Sequence, residues 1–109
     1  MKVKVSDYIA DFLVKKGITH VFTVVGGGAM HLNDSLGHHE KITSIYCHHE
    51  QAAAMAAEAY ARVHGRMAAL CVTSGPGAIN ALNGVMYHIF FIHLSVDGGL
   101  GCFQTLAIV

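Results

Sequence analysis

Charge is scarce in this chain: 13% of its 109 residues are Asp, Glu, Lys or Arg, and seven acidic side chains cancel seven basic ones. With no surplus of either sign, no long-range field draws the protein to nucleic acid or to an anionic membrane. A cysteine framework is missing as well. Cys47, Cys71 and Cys102 are odd in number, far apart and without a C-x-x-C pair. That pattern argues for reduced thiols in a cytoplasmic protein and against a disulfide scaffold or a zinc ribbon. Long apolar runs are absent too. The longest, residues 89–96, contains His93 and is too short to span a bilayer. Near the N-terminus, Lys2, Lys4, Asp7, Asp11, Lys15 and Lys16 leave no apolar stretch of the kind a signal peptide needs. Internal repeats and low-complexity segments are lacking. The expectation is one soluble domain with neither a membrane nor a nucleic acid as partner.

What the chain does have is apolar bulk, 53% of its residues, which is enough for a buried core at this length. Val5, Ile9, Phe12 and Leu13 recur at helical spacing, with Ser6 or Asp7 as a candidate cap and Gly17 where the helix would stop. Residues 20–24 read as a short buried strand, and Gly26-Gly27-Gly28 opens a second helix through Ala29, Leu32 and Leu36. Residues 43–47 form a second β-rich run. The clearest helix covers residues 50–63, with seven alanines and neither glycine nor proline; so many alanines let neighbouring backbones come close on more than one face. Gly65 ends it, residues 68–73 read as a third strand, and Ser74-Gly75-Pro76-Gly77 turns into a fourth helix near Ala78. This alternation predicts an α/β fold, a parallel sheet flanked by helices.

Chemistry concentrates in three places, each at the end of a strand: Val25-Gly26-Gly27-Gly28, His48-His49-Glu50 and Ser74-Gly75-Pro76-Gly77. In open α/β sheets, ligands bind beyond the carboxyl ends of the strands, so these loops are expected to line one crevice. Glycine lets backbone approach a flat ligand, and the helix N-termini that follow present free N–H groups. Neither glycine loop is a P-loop, because the Gly-Lys-Ser/Thr ending is missing, and the first does not make G-x-G-x-x-G. Taken singly, each loop reads as a plain turn before it reads as a site.

The run from His49-Glu50-Gln51 through Tyr60-Ala61-Arg62 resembles the H-E-Q-x-A-x-x-x-A-x-x-Y-A-R motif of the thiamine diphosphate enzymes. Within them it is similar to the pyrimidine-binding N-terminal domain of the acetolactate synthase and pyruvate oxidase group. Gly17-Ile18-Thr19-His20-Val21-Phe22 and Thr73-Ser74-Gly75-Pro76-Gly77-Ala78-Ile79-Asn80 match two further signatures in order and spacing. The resemblance covers about residues 4–85 and implies the thiamine diphosphate-binding fold, thiamine diphosphate as cofactor and a 2-keto acid as substrate. It implies that Glu50 is the catalytic acid, hydrogen-bonding N1′ of the aminopyrimidine and favouring the tautomer that activates the cofactor. A carboxyl group with that task must stay protonatable near neutral pH. Burial under bound cofactor should raise its pKa against the opposing pull of the helix N-terminus. A plain helix-capping acid is the alternative for Glu50.

The resemblance further implies Val25, Gly26, Glu50, Thr73, Pro76 and Asn80 as cofactor-binding residues. Val25 stands where many relatives have proline, and Ile79 where threonine is usual. Asn80 is open between a site contact, an interface contact and a core or capping role. Glu58 is expected in solvent or paired with Arg62 at i,i+4. His38-His39 and His48-His49 invite a metal reading, but neighbouring histidines point apart and supply no compact ligand set, so no metal is expected here. His49 is a candidate to flank the site, and His38 and His39 are expected on a surface loop.

After Gly84 the family pattern stops abruptly. Residues 1–85 are therefore read as the N-terminal part of a pyrimidine domain. Residues 86–109 read as a divergent apolar tail completing or capping it, in which a strand is suggested from residue 103 on and the fold is expected to be incomplete. Val96-Asp97-Gly98-Gly99 is not the Gly-Asp-Gly motif that, with a later asparagine, holds magnesium and the diphosphate in the family's second domain. Magnesium would thus come only through a diphosphate-binding domain not present here. The implied partner is a second copy in a homodimer or a separate diphosphate-binding subunit. Two alternatives remain: a non-catalytic remnant serving as a dimerisation surface, and one chain of a two-chain decarboxylase.

Overall fold

A computed structural model of the chain describes residues 2–95 and 105–108, with side chains described over residues 2–86. Helix α1 (Val5–Lys15) leads into strand β1 (His20–Thr23). A 3-10 turn (Gly27–Ala29) then opens α2 (Met30–His38), followed by β2 (Thr43–Tyr46), α3 (Glu50–His64), β3 (Ala68–Cys71), α4 (Pro76–Ser95) and β4 (Thr105–Ile108). The strands form a parallel sheet in the order β2-β1-β3-β4. The expected α/β class is therefore found. The apolar stretch after Val85 continues α4 to Ser95, and the strand suggested near the C-terminus is β4, beside β3. Val96-Asp97-Gly98-Gly99 and Cys102 lie outside the described residues.

Parallel sheets need both faces covered, and the strand residues alternate accordingly. Val21, Ala69 and Cys71 pack with Ala10, Leu13, Ile18 and Leu36 under α1 and α2. Phe22, Ala68, Leu70 and Val72 pack with Ala53, Ala54, Ala57 and Ala81 under α3 and α4. The helices of the first layer bring Leu13 and Leu36 to the sheet, whereas the buried residues that α3 and α4 bring to the second cluster are all alanine. On the alanine side α3 and α4 come so close that a Cβ on Gly84 would stand 2.4 Å from Ala54 Cβ. Gly65 closes α3 in the left-handed region, φ 61°, which glycine adopts without the Cβ penalty of other residues.

Helix α1 is turned relative to its expected stripe. Ser6, Ala10 and Leu13 are buried, whereas Val5 and Phe12 are 73% and 42% exposed. The cause is polar: the Ser35 hydroxyl on α2 bonds Ser6 Oγ at 2.8 Å and Asp7 Oδ1 at 2.6 Å, drawing that edge inward. Neither Ser6 nor Asp7 caps the helix; Lys4 occupies the cap position without a side-chain hydrogen bond.

Candidate functional site

Strand β1 lies between β2 and β3, and in register Thr23 pairs with Tyr46 on one side and Cys71 on the other. The loops that leave these three strands therefore emerge side by side. Their contact can be measured at the glycines. A Cβ on Gly26 would stand 2.5 Å from Thr73 Cβ, and one on Gly28 would stand 2.8 Å from Thr73 Oγ1. A Cβ on Gly77 would meet Thr73 Cγ2 at 2.9 Å and Glu50 Oε1 at 3.1 Å. Half-buried Thr73 is the hub, touching the glycine bend after β1 on one side and Gly77 on the other.

Glu50 enters from the β2 side as the first residue of α3. The helix is capped by His49, whose Nδ1 accepts the Gln51 N–H at 3.1 Å, so Glu50 is not the cap and its carboxylate is free to reach the glycine bends. Asn80 Nδ2 on α4 donates to Glu50 Oε2 at 3.2 Å. The structure thus brings together Gly26 and Thr73 from two loops, Glu50 from the start of α3 and Asn80 from α4. Val25 stands next to Gly26 with 62% of its surface exposed, and Pro76 is the exposed first residue of α4. The expected Val25, Gly26, Glu50, Thr73, Pro76 and Asn80 are all at this one end of the sheet.

The Glu50 carboxyl is held below its ordinary value of 4.5, first by its own backbone N–H and then by the Asn80 amide, with His49 adding a smaller pull. Desolvation opposes them but is weak, because the group is only half-buried. The expectation of a raised value applied to a carboxyl covered by cofactor; with nothing over it, the hydrogen bonds favour the anion.

The remaining polar residues divide by task. Glu58 is not solvated: it is buried on α3 and accepts Arg62 Nε at 3.0 Å, with a second, shorter bond from Arg62 Nη2. The two histidine pairs do not converge. His38 Nδ1 lies 3.2 Å from Asp34 Oδ1, His39 Nε2 lies 3.2 Å from Asp11 Oδ1, and His48 and His49 are exposed in the link between β2 and α3, where His49 flanks Glu50. Two polar groupings lie outside the expected set. Thr23 Oγ1 donates to Asn33 Oδ1 at 3.0 Å beneath the glycine loop, while buried Asn33 Nδ2 has no partner. At the opposite end of the sheet, Tyr60 is stacked between His20 and His64, and its hydroxyl lies 2.9 Å from His20 Nδ1. Tyr60 and His20 are 40 positions apart, so helical periodicity carried no signal of their pairing.

Comparison with known proteins identifies the family this sequence matches. The family described as thiamine pyrophosphate enzyme, N-terminal TPP binding domain, matches residues 3–88. The acetolactate synthase large subunit of Buchnera aphidicola subsp. Schizaphis graminum is 41% identical over 73 residues, covering 67% of this chain and 13% of that protein. Chloroplastic acetolactate synthase 2 of Nicotiana tabacum is 38% identical over 82 residues, covering 75% of this chain and 12% of that protein. The large subunit of Haemophilus influenzae is 35% identical over 85 residues, covering 78% and 15% respectively. The chain thus spans 12–15% of the length of these curated relatives.

Proposed function

The chain belongs to the thiamine pyrophosphate enzymes, as an N-terminal TPP-binding domain, and we propose that it forms the pyrimidine-binding half of an active site for 2-keto acids. Glu50 is its catalytic residue, and the nominal reaction is of the acetolactate synthase kind. The observation that supports this best is the placing of the carboxylate: 3.1 Å from the Cβ position of Gly77, which shares Thr73 with the bend at Gly26.

The residues present fit one end of such a cofactor. Gly26, Gly28 and Gly77 have no room for a side chain towards Thr73, so the loops close on one another and leave a backbone wall for a flat ring. Val25 and Pro76 offer exposed apolar contact at its rim, and Glu50 offers an acid that can share a proton with a ring nitrogen. Thiamine diphosphate, when bound, supplies the electron sink for cleavage next to a keto group. The part of this chain is to grip and orient the pyrimidine, exclude water from Glu50 and hold a proton at its carboxylate. Covering Glu50 strengthens desolvation, the one influence that raises its pKa.

None of Val25, Gly26, Glu50, Thr73, Pro76 and Asn80 is cationic, so nothing in that set matches a diphosphate. Magnesium and the charged end are therefore assigned to a domain other than this one. Calorimetry of the chain by itself with thiamine diphosphate and magnesium should detect no micromolar binding; finding it would remove the need for that domain. The functional test is decarboxylation of pyruvate after mixing with a polypeptide that carries the diphosphate domain. Glu50→Gln should lower the rate by about 10²–10⁴-fold, as loss of an acid–base group does. Equal rates would overturn the role of Glu50.

A second reading, a non-catalytic dimerisation module, draws on one observation. Ile79, Leu82 and Met86 are exposed at i, i+3 and i+7 on α4, with exposed Met55 near the crossing on α3. Turnover in the mixing experiment would exclude it.

A further inference from the structure

The two oxygens of the Glu50 carboxylate have different surroundings. Oε2 takes the hydrogen bond from Asn80 Nδ2 at 3.2 Å. Oε1 faces Gly77, 3.1 Å from where a Cβ would stand, on the side where Thr73 Cγ2 comes within 2.9 Å of the same point. Gly77 and Asn80 are three residues apart on α4, so one helix face presents both the gap and the amide. We propose that Asn80 is a positioning residue: its amide pins Oε2 and thereby leaves Oε1, turned to the glycine bends, as the oxygen that meets the ring nitrogen of a bound pyrimidine.

This rests on the reading of Glu50 given above and adds a division of labour between its oxygens. The terminal torsion of a glutamate side chain is broad, so an unpinned carboxylate on the first turn of a helix would let the plane of its two equivalent oxygens swing. An amide proton on one oxygen fixes that plane and holds the other oxygen towards the bends. It also favours the ionised group, so the site rests as an anion until a ring covers it. Asn80 then acts through Glu50 and needs no contact with the cofactor. The glycine at position 77 is the complementary element, since a methyl group there would crowd the oxygen that has to stay accessible.

The test uses the full chain without cofactor. Carbon-detected NMR follows the Glu50 side-chain carboxyl through an acid titration in the wild type, Asn80→Ala and Asn80→Leu, the last keeping the volume without the donor. The midpoint should lie below 4.5 in the wild type and move upward in both variants, while exposed Asn83→Ala leaves it in place. In Glu50→Gln the Asn80 side-chain amide protons should lose the shift caused by a charged acceptor. Asn80 is exposed, so both variants are expected to fold, and backbone spectra confirm it. A Glu50 midpoint unchanged in both variants would overturn the proposal. The cofactor reading is tested separately, by adding thiamine diphosphate and magnesium to the complemented wild-type complex: a Glu50 signal that fails to respond sinks that reading and leaves the Asn80 dependence standing.

Discussion

Gly84→Ala should be costly although it improves the helix. In an exposed helix interior, replacing glycine by alanine stabilises by about 1 kcal/mol. Here the new methyl would stand 2.4 Å from Ala54 Cβ, 2.8 Å from Ala54 C and 2.9 Å from Met55 N. Carbon atoms pack at about 3.5–4.0 Å, so α3 and α4 would have to part by about 1–1.5 Å. Two of the three neighbours are backbone atoms, and no rotamer change relieves them. Overpacking costs about 1–3 kcal/mol, and a backbone clash belongs at the upper end, which leaves a net loss of about 2 kcal/mol. For a domain of this size each kcal/mol moves the melting temperature by about 4–8 °C, so Tm should fall by about 8–16 °C. A second effect follows from geometry. Glu50 stands on α3 and Asn80 on α4, and their 3.2 Å hydrogen bond cannot survive such a separation. Thermal melts followed by circular dichroism, with Asn83→Ala as an exposed control on the same helix, measure the first effect. The Glu50 titration measures the second. If Gly84→Ala melts at or above the wild type, the close contact of α3 and α4 is not as described and the reasoning fails.

Other outcomes can be checked with the same instruments. Gly77→Ala meets only side-chain atoms, Thr73 Cγ2 and Glu50 Oε1, so stability should change by less than about 1.5 kcal/mol while turnover in the complemented system drops. Thr23→Val removes the hydroxyl that Asn33 Oδ1 accepts and should cost about 1–3 kcal/mol in urea unfolding, because that oxygen then keeps only the weak Cys71 thiol donor at 3.7 Å. For pH, the folded-state pKa of Glu50 is depressed below 4.5. Its stabilising contribution is complete above that value and is lost as pH falls through the depressed one. Glu50→Gln should therefore lose less stability than the wild type on acidification below pH 4.5, and parallel losses would contradict the assigned hydrogen bonds.

The parts of the molecule legible in the sequence are those set by local pattern. Alternation of short apolar runs with alanine-rich or helical spacing marks β1, α3 and β3, and the glycines and Glu50 at strand ends mark the crevice, because parallel topology fixes where such ends meet. What was not legible depends on which partner a side chain finds. The stripe of α1 is turned because Ser35, from a different helix, bonds Ser6 and Asp7. His49 became the cap of α3 because its ring nitrogen meets the Gln51 N–H, a role for which serine or aspartate is the usual choice. The pairing of Glu58 with Arg62 at i,i+4 was legible and is found; the burial of Glu58 was not, since it depends on what packs against α3. The direction of the Glu50 shift could not be read either, since it turns on whether anything covers the group.

The unequal stuffing of the two layers carries a consequence for how this domain tolerates change. On the α1–α2 side, where Leu13, Ile18 and Leu36 fill the space, damage comes from subtraction: trimming any of them to alanine opens a void and forfeits about 2–5 kcal/mol. On the α3–α4 side there is little left to remove from Ala53, Ala54, Ala57 and Ala81, and damage comes from addition. A sequence drifting under selection would thus be constrained by a lower size limit on one face and by an upper one on the other. The face that forbids growth is the one that carries the acid.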